Sequence, residues 1–204
     1  MTDFTTMLSR GDLRSDGLAN EVAAVVSSHP ETLSDLIDAF ASSNDSVRGH
    51  AADALEKVAR DHPDRLVPFL PFLLRLARND RVAMVRWHLA MVLGHMSAIP
   101  TTVARTTPTL LAMLGDSSPF VRSWAITGLS LIAQLSPRAS PAIDRAIARL
   151  LLDPSPAVAK RARVALRALS DPGFELPRSW LKSPHVVQRY ASIVRRSRRP
   201  RTTR

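Results

Sequence analysis

Apolar residues recur along the chain with the spacing of one-sided helices, and the same pattern occurs four times. A valine opens each occurrence, and a leucine follows it eight residues later. The valines are spaced 38, 36 and 37 residues apart and are Val47, Val85, Val121 and Val158. Apolar residues at offsets 0, 4, 7 or 8, and 11 from the valine lie on one face of a helix. The pattern therefore predicts four amphipathic helices, one in each repeating unit.

A series of prolines follows the same period. Pro30, Pro63, Pro100 and Pro137 are 33, 37 and 37 residues apart, and each begins a further apolar stretch. Proline is tolerated in the first turn of a helix because the N–H groups there have no intrahelical partner. Each unit is therefore predicted to contain two helices, of which the first begins at its proline. Stretches rich in Asp, Asn, Ser and Pro separate the two helices and are predicted to cap the second one.

Repeated helix pairs of this length are typical of a solenoid, in which each pair covers the apolar face of its neighbour. A glycine count of only 7 in 204 residues, with abundant Ala, Leu and Arg, also favours helix over strand. We therefore predict an all-α, right-handed α-solenoid with about four full repeats over residues 30–170. Residues 1–29 are predicted to form capping helices at one end, and residues 171–194 a segment and helix that cap the other end.

The composition excludes several classes of site. The chain contains no cysteine, so disulfides and thiolate metal sites are excluded. Its first residues include acids and lack the apolar core of a secretory signal. The most apolar run, residues 66–77, is too short to cross a bilayer. We therefore expect a cytoplasmic protein without a transmembrane segment.

The positive charge is concentrated near the C-terminus. The formal net charge is +10, and residues 160–204 contain 13 Lys and Arg against 2 acids. Residues 195–204 are predicted to form a disordered basic arm. This region is a candidate for contact with nucleic-acid backbone or another polyanion, and the alternative is a solubilising tail. The candidate residues are Lys160, Arg161, Arg163, Arg167, Arg195, Arg196, Arg198, Arg199 and Arg201.

The units resemble HEAT repeats in three features. The first helix contains a proline, the turn contains an aspartate five residues before the valine, and Val-Arg begins the second helix. The turn aspartates are Asp80, Asp116 and Asp153. The first unit has Ser42 in place of the aspartate, and the fourth has Ala159 in place of the arginine. The chain also resembles small bacterial HEAT-repeat proteins, which generally have no assigned activity.

The resemblance implies a structural role for the arginines that follow the first three valines. In HEAT families the turn aspartate and this arginine commonly form a ladder between adjacent repeats. Arg48, Arg86 and Arg122 fit that role here. The alternative, contact of these arginines with phosphate in the groove, fits their position in the repeat less well.

The resemblance also implies that the second helices line a concave face. Trp87 and Met91 lie one turn apart at offsets that point away from the apolar stripe. An aromatic residue and a methionine at such offsets predict a contact site for a partner, whereas the alternative is packing against neighbouring second helices. The candidate partner-binding residues are Trp87, Met91, His88, His95, Trp124, Asp53 and Glu56.

No catalytic constellation is found in the sequence. It has no glycine-rich phosphate loop, paired-His metal motif, cysteine nucleophile or serine elbow. His88 and His95 lie about 10 Å apart along their predicted helix, which is too far for both to bind one metal without a third element. We therefore predict neither a metal nor a cofactor, and no enzyme activity.

The predicted function is a non-catalytic scaffold that holds a macromolecular partner, with a protein as the first choice. One alternative is a nucleic-acid-binding protein that uses the basic C-terminal region. A second alternative is a HEAT-like DNA glycosylase, which rests on fold analogy alone. Its candidate groove residues would be Trp87, Trp124 and Asp53.

Overall fold

The computed structural model describes residues 2–136, 140–171 and 174–197, and every regular element in these ranges is helical. The prediction of an all-α solenoid is confirmed. None of the helices in these ranges is long and apolar enough to span a membrane. The α-helices are α1 (Thr5–Leu8), α2 (Ala19–Ser28), α3 (Leu33–Asp38), α4 (Asp45–Asp61), α5 (Leu70–Asn79), α6 (Ala83–His95), α7 (Val103–Met113), α8 (Pro119–Leu135), α9 (Ser140–Ala148), α10 (Pro156–Ser170) and α11 (Pro184–Ser197).

Four helix pairs form the repeats, namely α3 with α4, α5 with α6, α7 with α8, and α9 with α10. The second helices pack side by side in chain order, so that α4 contacts α6, α6 contacts α8, and α8 contacts α10. The four repeat valines that define the apolar stripe are fully buried. Removal of this apolar surface from water is the main force that holds neighbouring repeats together. We call the side of the second-helix layer that faces away from the first helices the inner face.

The prolines begin the first helices as 3₁₀ turns. These turns are Pro30–Thr32, Pro63–Phe69 and Pro100–Thr102. In the second unit Pro68 lies inside the turn and delays the regular helix to Leu70. The fourth proline, Pro137, lies outside the described residues.

Each turn aspartate lies two residues before the N-cap residue of its second helix. Each carboxylate accepts a hydrogen bond of 2.8 Å from the backbone N–H two residues later. The three residues are Asp80, Asp116 and Asp153. Only in the first unit does a turn side chain cap the second helix directly, where Asn44 accepts from the N–H of Ser46. The three aspartates therefore fix the turns, and this leaves their carboxylates oriented for the neighbouring repeat.

The N-terminal residues pack on the first repeat through α1 and α2, both of which contact α4. Helix α2 begins only at Ala19, because Gly17 has a φ of +51° that interrupts regular helix. His50 of α4 is fully buried against this segment. Its ring nitrogens lie 2.7 Å from the carbonyl oxygen of Leu8 and 3.0 Å from that of Ser15.

The C-terminal segment, residues 174–192, corrects the prediction that residues 171–194 cap the far end of the array. It lies across the inner face and returns to the first two repeats. Ser183 donates a hydrogen bond of 2.6 Å to the carbonyl oxygen of Arg60 at the end of α4. Arg189 donates to the carbonyl oxygens of Ser97 and Ala98, just after α6, at 3.0 and 2.8 Å.

The physical reason for this return lies in the ends of α4 and α6. The last carbonyl groups of a helix lack intrahelical partners and carry partial negative charge, so they attract hydrogen-bond donors and cations. The basic C-terminal segment supplies both. Helix α11 continues to Ser197, so residues 195–197 of the predicted arm are helical.

Candidate partner-binding surface

Ion pairs join each repeat to the next through the arginines that follow the repeat valines. The three pairs are Arg48–Asp80, Arg86–Asp116 and Arg122–Asp153. Arg86 places Nε and Nη2 at 2.6 and 2.9 Å from the two carboxylate oxygens of Asp116, while its Nη1 donates to the carbonyl oxygen of Asp80. Burial would raise the pKa of Asp116, but the hydrogen bonds from Arg86 and from the backbone N–H of Ser118, with the charges of Arg86 and Arg122, together lower it. These guanidinium groups are thus occupied within the array.

The centre of the inner face is occupied by Trp180 of the C-terminal segment. This side chain is only 5% exposed and lies in a groove between α6 and α8. Met91 and Gly94 line the groove from α6, and Trp124 and Thr127 line it from α8. The position of Trp180 could not be predicted from the repeat pattern, because it lies outside the array.

A close approach of α6 and α8 forms the floor of this groove. A Cβ atom on Gly94 would lie 3.1 Å from the Cα atom of Gly128, so these two helices meet backbone to backbone. Larger residues at these positions would separate the helices. The glycine pair therefore leaves a slot in which an indole ring fits.

Two cations surround Trp124 next to the groove. The guanidinium of Arg161 lies 4.8 Å from the ring centre of Trp124 and 5.2 Å from that of Trp180, and it donates a 2.8 Å hydrogen bond to the hydroxyl of Thr127. The ammonium of Lys182 lies 4.9 Å from the ring centre of Trp124. Burial lowers the pKa of Arg161. Arg161, a predicted polyanion contact, thus joins the last repeat to the C-terminal segment by cation–π contacts.

A buried carboxylate lies on α4 beneath the C-terminal segment. Glu56 is fully buried and accepts from Nε2 of His95 at 2.8 Å and from Nε of Arg60 at 3.0 Å. Burial would raise the pKa of Glu56, but the hydrogen bonds from His95 and Arg60 lower it to about 2. Glu56 is therefore an ionised, fully paired carboxylate.

His88 is buried in the neutral form. Its Nδ1 donates to the carbonyl oxygen of Met84 at 3.0 Å, and its Nε2 lies 3.2 Å from the indole nitrogen of Trp87. Because an indole N–H can only donate, Nε2 accepts and carries no proton. Asp53 lies 3.4 Å from Nε2 but forms its close ion pair with Lys57 at 2.6 Å. Burial lowers the pKa of His88 to about 4 in spite of the nearby carboxylate.

Five of the seven predicted partner-binding residues are buried. They are Asp53, Glu56, His88, Met91 and His95. The offsets of Asp53, Glu56 and Met91 point away from the apolar stripe, but the C-terminal segment and neighbouring helices cover that side. A buried side chain offers no surface to a partner, so these five could contact one only after the segment moves.

The other two predicted residues, Trp87 and Trp124, are half-buried. Trp87 packs against Phe120 with ring centres 5.1 Å apart, and Phe120 is 61% exposed. Phe120 was not predicted, although an aromatic residue directly before the repeat valine Val121 could have indicated it. Trp87 and Phe120, which we call the aromatic pair, lie in the N-terminal halves of α6 and α8, with Phe120 exposed and Trp87 partly exposed.

The predicted polyanion-binding residues separate into three groups. Lys160, Arg163 and Arg167 are exposed on α10, whereas Arg161 is half-buried against the tryptophans. Arg195 and Arg196 belong to α11. The remaining candidates, Arg198, Arg199 and Arg201, lie outside the described residues.

The histidines of α6 do not form a metal site in the described part of the chain. His88 lies next to Asp53, whereas His95 binds Glu56, so each has a different carboxylate neighbour. Nowhere in the described ranges do three His, Asp or Glu side chains come together in a way that could hold a metal ion.

Stacked helix pairs, a continuous second-helix layer and a ladder of Arg–Asp pairs define a helical-repeat solenoid protein. Residues 70–167 match the profile of the family described as HEAT repeats. This match covers just under half of the chain and shows HEAT repeats in that part of it.

Comparison with solved structures supports the fold. The chain is similar to a designed armadillo repeat protein, YIII(Dq)4CqI, with a TM-score of 0.55 and 18% sequence identity. The match covers 82% of this chain and 81% of the designed protein. At this identity the similarity shows the fold alone. No curated protein is significantly similar to the chain.

Proposed function

We propose that the protein is a non-catalytic binding scaffold that holds a protein partner on its inner face, the surface that the resemblance predicts to be concave. One observation carries this proposal: the inner face already binds polypeptide, in the form of residues 174–192. Trp180 enters the groove between α6 and α8, and Ser183 binds a backbone carbonyl group of α4. A surface that accommodates one segment of polypeptide in this way has the shape and polar groups to accommodate another.

The aromatic pair is the first contact that such a partner would meet. Trp87 and Phe120 present an exposed apolar surface beside the occupied groove. Aromatic residues at the edge of a groove are frequent energetic centres of protein interfaces. The indole N–H of Trp87 is already bonded to His88, so the ring contributes apolar contact to a partner.

Internal pairing of the titratable groups supports a non-catalytic role. Asp53 is paired with Lys57, and Glu56 with Arg60 and His95. An activated nucleophile or general base must be accessible to the substrate. These side chains are instead bonded to one another. The glycosylase hypothesis needs Asp53 and two tryptophans around an open pocket, but Asp53 is buried.

Affinity capture with two matched variants tests the scaffold. The bait is the full chain, compared with the double variant Trp87→Ala/Phe120→Ala and with Leu152→Ala. Leu152 is 92% exposed and provides a control for loss of surface hydrophobicity elsewhere. We expect a partner recovered with wild type and Leu152→Ala to fall at least fivefold with the double variant, while circular dichroism stays unchanged. Equal recovery with all three baits contradicts a role for this face.

Exposed cations on α10 favour a second candidate function, polyanion binding. Lys160, Arg163 and Arg167 lie along one side of the last repeat and are open to solvent. Cations that contact phosphates release counterions, so binding weakens steeply with salt.

A duplex titration at two salt concentrations tests this second candidate. Arg163→Glu/Arg167→Glu should abolish binding of a labelled duplex, whereas the same charge change at the exposed Arg10 and Arg14 should preserve most of it. Binding that is absent, or that is insensitive to salt, removes the candidate.

A further inference from the structure

We propose that residues 174–192 are an intramolecular ligand of the inner face, and that the partner is an extended segment carrying an aromatic residue followed two positions later by a cation. The inference rests on the scaffold function proposed above and names its ligand chemistry. It also makes the C-terminal segment a built-in competitor, which has to leave the groove before the partner enters.

The aromatic position is defined by the slot around Trp180. The glycine pair Gly94 and Gly128 brings α6 and α8 into backbone contact, so the slot has a flat floor. Met91 and Trp124 stand on its two sides. A flat ring buries most of its surface in such a slot, whereas a branched aliphatic side chain would leave part of the slot empty.

The cation position is defined by Lys182. Its ammonium lies over the ring of Trp124 at 4.9 Å. Burial lowers the pKa of Lys182, while the carboxylates of Glu56 and Asp53 act in the opposite direction. The cation therefore rests on the ring face of Trp124 and on the two carboxylates, which favour a cation over an anion at this position. An acidic residue there would be repelled by both carboxylates.

The remaining contacts of the segment are the buried apolar side chains of Leu176, Val186 and Tyr190 and hydrogen bonds to helix ends. Ser183, His185 and Arg189 bind carbonyl groups at the C-terminal ends of α4 and α6. Those carbonyl groups bind water when the segment is absent, as helix ends normally do. The repeats are held by contacts between neighbouring helix pairs, so departure of the segment leaves their own packing intact.

Competition by the attached segment sets the expected affinity. A ligand that needs the open groove binds with an apparent affinity reduced by the fraction of molecules in which the groove is open. Weakening of the attached segment raises that fraction. A peptide supplied separately should therefore bind better when the chain's own tryptophan is removed.

The test uses the full chain and a fluorescent peptide with the sequence of residues 174–192. We expect the peptide to bind the Trp180→Ala protein at least tenfold more tightly than the wild-type protein. The control variant Val187→Ala, which removes an exposed side chain of α11, should bind it like wild type. Peptides in which the tryptophan is replaced by alanine, or the lysine by glutamate, should lose at least tenfold in affinity for Trp180→Ala.

Hydrogen exchange of the wild-type chain provides a second measurement that does not depend on the folding of Trp180→Ala. An excess of unlabelled peptide should accelerate exchange of the chain's own residues 184–192, while amides of α6 and α8 remain protected.

Peptide affinity that is equal for wild type and Trp180→Ala, together with unchanged exchange, overturns the proposal. If the peptide competes as expected but no partner depends on the aromatic pair, the intramolecular ligand stands and the scaffold function fails. If partner capture depends on the aromatic pair but the peptide does not compete, the scaffold stands and this inference fails.

Discussion

The hydroxyl of Ser183 donates a 2.6 Å hydrogen bond to the carbonyl oxygen of Arg60, which lies 123 residues earlier in the chain. Nine residues before Ser183, the ring of Phe174 lies 4.6 Å below the guanidinium of Arg167 in the last repeat. Helices in contact are spaced about 8–10 Å apart, so this stretch crosses about 25–30 Å from α10 to α4. Nine residues reach about 30 Å when extended. The segment is therefore largely extended, apart from the 3₁₀ turn at Arg178–Trp180.

The glycine contact between α6 and α8 predicts a destabilising Gly94→Ala substitution. Alanine has the higher helix propensity by about 1 kcal/mol, but its Cβ would press against the backbone of Gly128. We expect a net loss of about 1–3 kcal/mol in the free energy of unfolding, measured by urea titration. Gly115→Ala is the matched control, because its Cβ would be 3.6 Å from the nearest atom. Equal stability of the two variants contradicts a close helix contact.

The ladder predicts that Arg86 stabilises the array more than an exposed arginine does. Arg86→Ala leaves the carboxylate of Asp116 without its bidentate partner, and both side chains are only 12% exposed. We expect a loss of about 2–4 kcal/mol in the free energy of unfolding. Arg81→Ala removes an ion pair to Asp45 at the surface and should leave stability nearly unchanged. A similar loss for both variants rules out a special contribution from the ladder.

His88 predicts a specific dependence of stability on pH. Its pKa is lowered from 6.5 to about 4 by burial, so the unfolded chain takes up a proton between these values and the folded chain does not. His88 therefore leaves the free energy of unfolding unchanged above pH 6.5 and lowers it as the pH falls from 6.5 towards 4. Between pH 7 and pH 5, wild type should lose about 2 kcal/mol more than His88→Gln. His29→Gln, at an exposed site, should follow wild type, and parallel curves for all three proteins contradict a buried neutral His88.

The repeat array was predictable because its signals lie in residue identities at fixed offsets. In the second unit Val85 is buried and Arg86 forms the ion pair to the next repeat. The same two positions recur about every 37 residues. The aspartate five residues before the valine recurs in the last three units. Such local, repeated patterns can be recognised from the sequence alone.

The path of the C-terminal segment was not predictable for the opposite reason. Arg189 binds the carbonyl oxygens of Ser97 and Ala98, and a backbone carbonyl group carries no residue identity that a sequence could reveal. The same segment explains why Asp53 and Glu56 are buried, although their offsets predict a solvent-facing surface. Because the segment that covers these residues lies outside the repeats, its position leaves no periodic signal in the sequence.

The most direct test of an occupied inner face is the distance between α11 and the first two repeats in solution. The chain has no cysteine, so nitroxide labels at Asp64→Cys and Gln188→Cys are unique. Both residues are exposed and line the same surface depression. Pulsed electron paramagnetic resonance should give a main distance below about 25 Å, which allows for the reach of the labels across one helix contact. A main distance above about 35 Å, as expected for a helix packed on the far side of α10, would contradict the account.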